Sequence, residues 1–176
     1  MSAFLGIDTS NYTTSAALFD SETNTIIQSK KLLPVKAGEL GLRQSDAVFA
    51  HVKQLGDMVQ NVFDEYREEI TAIGVSTRPR DIDGSYMPCF LVGEMAANCL
   101  GAALKVPVLP FAHQQGHVAA ALYSAGRLDL FLERFIAFHL SGGTTEALLV
   151  EPSAERIIRC TKIGGSMDLK AGQAVD

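Results

Sequence analysis

The chain has 176 residues, 47% hydrophobic and 20% charged, which excludes a disordered polypeptide and leaves room for an ordinary core. Its formal net charge of -5 argues against a broad basic surface for nucleic acid. Polar residues interrupt every apolar run, so none is long enough to cross a bilayer, and the first residues lack the basic and long apolar regions of a signal peptide. The expected compartment is the cytoplasm. Cys89, Cys99 and Cys160 are odd in number and show no CxxC spacing, so they suggest neither a disulfide framework nor a zinc knuckle and read as small apolar residues.

Residues 4–7 form a short apolar run that stops at Asp8, Thr9, Ser10 and Asn11, a turn sequence. Residues 13–19 and 25–31 are two further strands. Three strands in succession with short turns predict an antiparallel meander. From Ser45 to Glu69 apolar residues fall at helical spacing (Val48, Val52, Leu55, Val59, Val62, Phe63, Tyr66), and His51 reads as a surface residue of that helix. Residues 71–77 are a buried strand and 90–104 an Ala-rich packed helix. Residues 106–111 are a short strand partly broken by Pro107 and Pro110, and 113–123 are another helix. Residues 135–140 and 145–150 are strands around a glycine turn, and 157–162 are one more strand. Residues 170–176 open a helix that the chain does not finish, so a longer polypeptide is expected. The order predicts an α/β fold, an RNase H-like lobe over 1–176 with a mixed, five-stranded-type sheet and helices on both faces.

Four segments can carry chemistry. In Gly6-Ile7-Asp8-Thr9-Ser10 a carboxylate and two hydroxyls follow a strand directly. Such a turn can offer donors to a phosphate while the carboxylate holds Mg2+ or water; it can equally be an Asx turn bonding its own backbone. Leu140-Ser141-Gly142-Gly143-Thr144-Thr145 is a second hydroxyl-rich turn, whose glycines admit close backbone approach. It is no Walker A loop, since GK[ST] is missing, and a Gly-Gly hairpin is also common structure. Two such turns could grip a polyphosphate from two sides. His113 and His117 stand four positions apart, on one helix face, a spacing that suits two ligands of one Zn2+ or Fe ion or two surface histidines. Gln114 stands where a metalloprotease HExxH would place its glutamate, so a peptidase base is missing. In the segment from Ser166 to Asp176, Asp168 sits near a helix start and Asp176 two turns on; capping and solvation account for both equally well. His139 lies in a strand and reads as core or edge.

In the order GIDTS, HQQGH, LSGGTT and MDLKAGQAVD, the chain resembles the tRNA adenosine threonylcarbamoyltransferases, once called O-sialoglycoprotein endopeptidases. The resemblance implies an actin-like ATPase (ASKHA) fold of two RNase H-like lobes, with this chain covering the first. It implies His113 and His117 as ligands of one divalent metal, Fe or Zn, with a third ligand in the second lobe. It implies that His139, Leu140, Ser141, Gly142, Gly143 and Thr144, together with Asp176, contact threonylcarbamoyl-adenylate or a nucleotide. Asp8, Thr9 and Ser10 match the first phosphate loop of the fold, for ATP or an adenylate with Mg2+. The implied reaction moves a threonylcarbamoyl group to the exocyclic amine of a tRNA adenosine beside the anticodon, with partner proteins of the modification complex. The segment alone is expected to be inactive and to dimerise through exposed edges.

The chain departs from the family at three places. Arg78-Pro79-Arg80-Asp81-Ile82-Asp83-Gly84-Ser85 stands where a Gly-Pro-Gly segment is usual, SGGTT replaces SGGHT, and Leu169-Lys170 follows Asp168 where paired acids are common. These motivate an alternative, a diverged non-catalytic relative that binds nucleotide or a partner protein. Arg78 and Arg80 then read as contacts to phosphate or tRNA backbone, or as charges on a surface turn.

Overall fold

Strand β1 (Ala3–Asp8) alternates strictly. Ala3, Leu5 and Ile7 are buried, while Phe4, Gly6 and Asp8 face the other way. That alternation organises the first of the two units seen in the computed structural model, which describes residues 2–10, 12–35, 42–66, 69–141 and 143–175. β1 pairs antiparallel with β2 (Thr13–Asp20), and β2 with β3 (Thr25–Leu32), as the meander predicts. On its other edge β1 pairs parallel with β4 (Ile70–Arg78), and β4 with β5 (Val108–Ala112). The sheet order is therefore β3-β2-β1-β4-β5, five strands of mixed direction.

Helix α1 (Gln44–Glu65) buries Ala47, His51, Leu55, Met58 and Val62, one stripe at helical spacing. It stops short of the expected Glu69 because Tyr66 turns extended (φ -133°, ψ 126°) and its hydroxyl donates to Asp20 at 3.1 Å. Helix α2 (Phe90–Leu104) packs on β4, β1 and β5 and touches α1, so both helices lie on one face of the sheet. On the other, Phe4 and Leu109 are 37% and 46% exposed. The approach of α2 to β5 depends on Gly101, where a Cβ would sit 2.4 Å from Cγ2 of Val108.

The chain forms two compact units, Met1–Pro79 with Ser85–His113, and Arg80–Gly84 with Gln114–Asp176. The reason is in the pairing. The first sheet ends at β5, and β6 (Phe135–Leu140), β7 (Thr145–Ser153) and β8 (Ile157–Gly165) form a separate antiparallel sheet in the order β6-β7-β8. Helix α3 (His113–Ser124), beyond its first residue, belongs to this second unit. Val118 and Leu122 of α3 pack with Leu148, Val150, Ile158 and Cys160 in a core of their own. A short helix, α4 (Ala171–Val175), follows β8. Among the described residues no helix is long and apolar enough to cross a membrane.

The cysteines separate by environment. Cys99 is exposed, whereas Cys89 and Cys160 are buried and unpaired. Burial raises both buried thiols, and with the nearby Asp81 charge pushes Cys160 up to about 11. Titration with Ellman's reagent at pH 8 is expected to modify Cys99 quickly and the other two only after denaturant is added; fast reaction of all three would contradict the burial.

Candidate functional site

The first turn sorts its polar groups by strand phase. Thr9 continues the buried side of β1 and is fully buried. Its hydroxyl donates to the Cys89 carbonyl at 2.9 Å and accepts from the Gly93 N–H at 3.1 Å, so it ties the turn to the first turn of α2. The proton of the Thr9 hydroxyl is thus used inside the fold. Gly93 permits the contact, since a Cβ there would lie 2.9 Å from the Thr9 Oγ1 and 3.3 Å from the Ile7 Cγ2. His51 lies beside this turn and is fully buried, not on the helix surface. Its Nδ1 lies 2.8 Å from the Thr14 hydroxyl, and burial holds its pKa below the ordinary value against the pull of the Asp8 charge.

Asp8 takes the opposite phase. Its Oδ1 accepts the Ser10 N–H at 2.8 Å, an Asx turn, and its Oδ2 lies 2.8 Å from Nδ1 of His113. Burial acts to raise this carboxyl, but the hydrogen bond and charge of His113, with bonds from Ser10 and Ser76, hold it well below the usual carboxylate range. Asp8, Ser10 and His113 therefore come together in the first unit, and Ser76 of β4 joins them. Nothing in the sequence around Ser76 marks it; only the parallel pairing of β1 with β4 places it there.

In the second unit His117 packs on His139, with ring centroids 5.2 Å apart and planes tilted by 38°. Both rings line a cavity of about 240 Å³ with Gln114, Val118, Phe135 and Leu140 among its walls. The turn from Leu140 to Thr145 is closed by the Ser141 N–H donating to the Thr144 carbonyl at 2.8 Å, and by the Gly143 N–H donating to the Ser141 hydroxyl at 3.3 Å. Helix α4 starts against this turn. The Ala171 N–H donates to the Thr145 hydroxyl at 2.7 Å and the Gly172 N–H to the Ser141 carbonyl at 3.3 Å. Two motifs some 25 residues apart thus share one turn. Gly142 and Asp176 lie outside the described residues.

A carboxylate the sequence reading passed over sits next to this turn. Glu146 is 4% exposed; its Oε1 accepts from Arg80 at 2.8 Å and from Lys162 at 2.9 Å, and its Oε2 from Gln114 at 3.4 Å. The signal was available, because Glu146 shares its strand phase with buried Leu148 and Val150. Arg80, read as a contact to phosphate or as a surface charge, is held by Glu146, and neighbouring Asp81 is held by Arg156 and Gln115. Among the described residues no group of three or more His, Cys, Asp or Glu side chains is placed to hold a metal. Two histidines, His113 and His117, are one short of the minimum protein set for Zn2+.

The sequence profile described as TsaD, tRNA N6-adenosine threonylcarbamoyltransferase, matches residues 24–176. A tRNA N6-adenosine threonylcarbamoyltransferase of Aromatoleum aromaticum (strain DSM 19018 / LMG 30748 / EbN1) is 31% identical over 98% of this chain. The match covers 48% of that relative, so the chain spans about half its length. Among solved structures, YeaZ from Pseudomonas aeruginosa aligns with a TM-score of 0.57 at 19% identity, covering 94% of this chain and 67% of that one. A ROK family glucokinase from Streptomyces griseus, in complex with glucose and AMPPNP, aligns at 0.50 and 14% identity, covering 96% and 49%. These likenesses establish the RNase H-like, actin-like ATPase fold.

The Thr9–Gly93 contact is directly testable. Thr9→Val removes the hydroxyl's bonds to the Cys89 carbonyl and the Gly93 N–H and is expected to cost about 1–2 kcal/mol in urea unfolding, while Thr9→Ser recovers most of it. Gly93→Ala is expected to cost about 1–3 kcal/mol through the clash with the Thr9 hydroxyl and Ile7. Wild-type stability in Gly93→Ala would show that α2 does not depend on the contact.

Proposed function

Since the chain belongs to the tRNA N6-adenosine threonylcarbamoyltransferase family, we propose that it supplies one part of the site that moves a threonylcarbamoyl group from its adenylate to the exocyclic amine of a tRNA adenosine next to the anticodon. The observation that carries the reading is the family match over 24–176, which takes in the histidine pair and both later motifs. The second unit repeats the start of the first, a three-stranded antiparallel meander with a ligand-type turn between its first two strands. We read it as the opening of a second lobe.

In this reading His113 and His117 hold one divalent metal, Fe or Zn, whose bound form supplies a Lewis acid for the adenylate. Residues His139, Leu140, Ser141, Gly142, Gly143 and Thr144, with Asp176, hold the adenylate, while Ser10 lines the first phosphate loop. The adenosine amine attacks the carbamoyl carbonyl. A C–N bond forms, the bond from that carbon to the phosphate oxygen breaks, AMP leaves and the amine loses a proton. Partner proteins of the modification complex complete the site.

A second reading, a non-catalytic relative, is favoured by residues 80–84. Arg80 and Asp81 are held by Glu146 and Arg156 where the family carries a Gly-Pro-Gly segment. Elemental analysis of the untagged product of the complete reading frame is expected to find close to one Zn or Fe per chain, reduced at least about tenfold in His113→Ala/His117→Ala. The complete reading frame, given partner proteins, threonylcarbamoyl-adenylate and tRNA, is expected to form modified adenosine. Metal without transfer would favour the non-catalytic relative, and equal metal in both proteins would remove the histidine pair from the site.

A further inference from the structure

Glu146 gathers more positive charge than its burial requires. Its Oε1 accepts from Arg80 at 2.8 Å and its Oε2 from Gln114 at 3.4 Å, so one cation and one amide already answer the buried carboxylate. Lys162 nevertheless places its Nζ 2.9 Å from the same Oε1. Two cations on one oxygen stand close and repel each other, and a single carboxylate leaves them one positive charge in excess. Asp81, the buried acid beside Arg80, does not make up the balance, because Arg156 and Gln115 hold it. The two cations are not sunk into the fold: the side chains of Lys162 and Arg80 are 50% and 46% exposed, above a carboxylate that is 4% exposed. An ammonium has three N–H donors, and among the described residues Glu146 is the one side chain that Lys162 pairs with. Its end has a prepared seat. A Cβ on Gly165 would stand 3.3 Å from the Lys162 Nζ and 2.7 Å from the Thr145 carbonyl, so the bare glycine lets the ammonium lie close to the end of the hydroxyl-rich turn. Lys170 adds a third cation to the segment after Gly165, its Nζ donating to the Ser166 carbonyl at 2.8 Å, while Asp168 lies exposed on that segment.

We propose that Lys162 and Arg80, gathered on Glu146, form an anion subsite of the second unit, and that its occupant is a phosphate monoester. Such a group carries a charge of about -1.5 to -2 at neutral pH and three acceptor oxygens, enough to bridge both cations and turn their repulsion into shared attraction. A singly charged carboxylate would only balance the excess. The subsite does not depend on the histidine pair or on the transfer reaction. It gives a ligand role to residues 80–84, where the chain departs from the Gly-Pro-Gly segment, and to Lys162. A purely structural ion cluster would be complete with Glu146 and indifferent to added phosphate, which separates the two.

The test is isothermal titration of the untagged product of the complete reading frame with inorganic phosphate, AMP and adenosine, at pH 8 and low salt. The wild type is compared with Lys162→Gln, Lys162→Arg and Arg134→Gln; Arg134 is an exposed cation of the same unit, paired with Glu151. Lys162→Gln leaves Glu146 with Arg80 and Gln114, and its fold is checked by circular dichroism. It is expected to weaken AMP and inorganic phosphate about 10- to 100-fold, with Lys162→Arg recovering most of the loss and Arg134→Gln changing neither. Adenosine is expected to be insensitive to Lys162. AMP binding well above inorganic phosphate would identify a nucleotide as the source, and equal binding the free ion; both uphold the subsite. Absence of phosphate binding in the wild type, or equal binding in Lys162→Gln, would overturn it. So would a Lys162-dependent affinity for a short RNA oligomer without one for AMP or inorganic phosphate, which would assign the cations to a nucleic-acid backbone. A second readout needs no variant: phosphate is expected to protect Lys162 of the wild type from acetic anhydride, read by peptide mass spectrometry, and unchanged labelling at saturating phosphate would overturn the proposal even if Lys162→Gln does not fold.

Discussion

The two-residue period of β1 governs the first unit, and it runs on past the strand's end. Ala3, Leu5 and Ile7 face α1 and α2, and Thr9 follows them inward, where its hydroxyl meets the opening turn of α2. Asp8 takes the other phase, where its two oxygens meet the Ser10 N–H and His113. One helix start is thereby locked to one side of a strand end, and one imidazole to the other. Shifting the register of β1 by a residue would exchange a buried hydroxyl for a buried carboxylate. Few substitutions at this turn are therefore independent of the core.

The second unit solves a related problem with charge. Glu146 occupies a core-facing position of β7, where a lone carboxylate would be strongly disfavoured. Two cations and an amide converge on it, and the half-exposed Arg80 and Lys162 side chains keep their outer atoms in water. The turn that precedes Glu146 is thus backed by a bonded network instead of apolar packing. Among the described residues its partner α4 reaches the same turn through the backbone N–H groups of Ala171 and Gly172. The loop's shape depends on backbone geometry on one side and on an ion cluster on the other.

Much of the architecture was legible because it is periodic. The three opening strands, the stripe on α1 and the Ala-rich α2 follow from spacings of two and near four, and their ends fall within a few residues of expectation. The turns at residues 8–10 and 140–145 stood out through glycine and hydroxyl content. What was not legible is long-range. His51 lies on the same stripe as Leu55 and Met58, yet a histidine among apolar neighbours gives no sign that a threonine 37 residues earlier will satisfy it. The Asp8–His113 contact joins positions 105 apart and needs the order of β1, β4 and β5 to be known first. The split into two units was hidden for the same reason, since strands 135–140 and 145–150 look alike whether they extend the first sheet or begin another.

The missing Cβ at Gly101 has a consequence for how this sequence can drift. The space it leaves is filled by the Val108 side chain, and the Val106 carbonyl lies 3.2 Å from where that Cβ would stand. Residue 101 and residue 108 therefore form one steric decision written at two sites. A methyl group can appear on the helix only if the strand gives up volume first, and shrinking the strand side chain alone leaves a void. Changes at the two positions are non-additive by geometry, which makes the order in which they arise matter: one path runs through a cavity, the other through a clash, and the cavity is the milder intermediate.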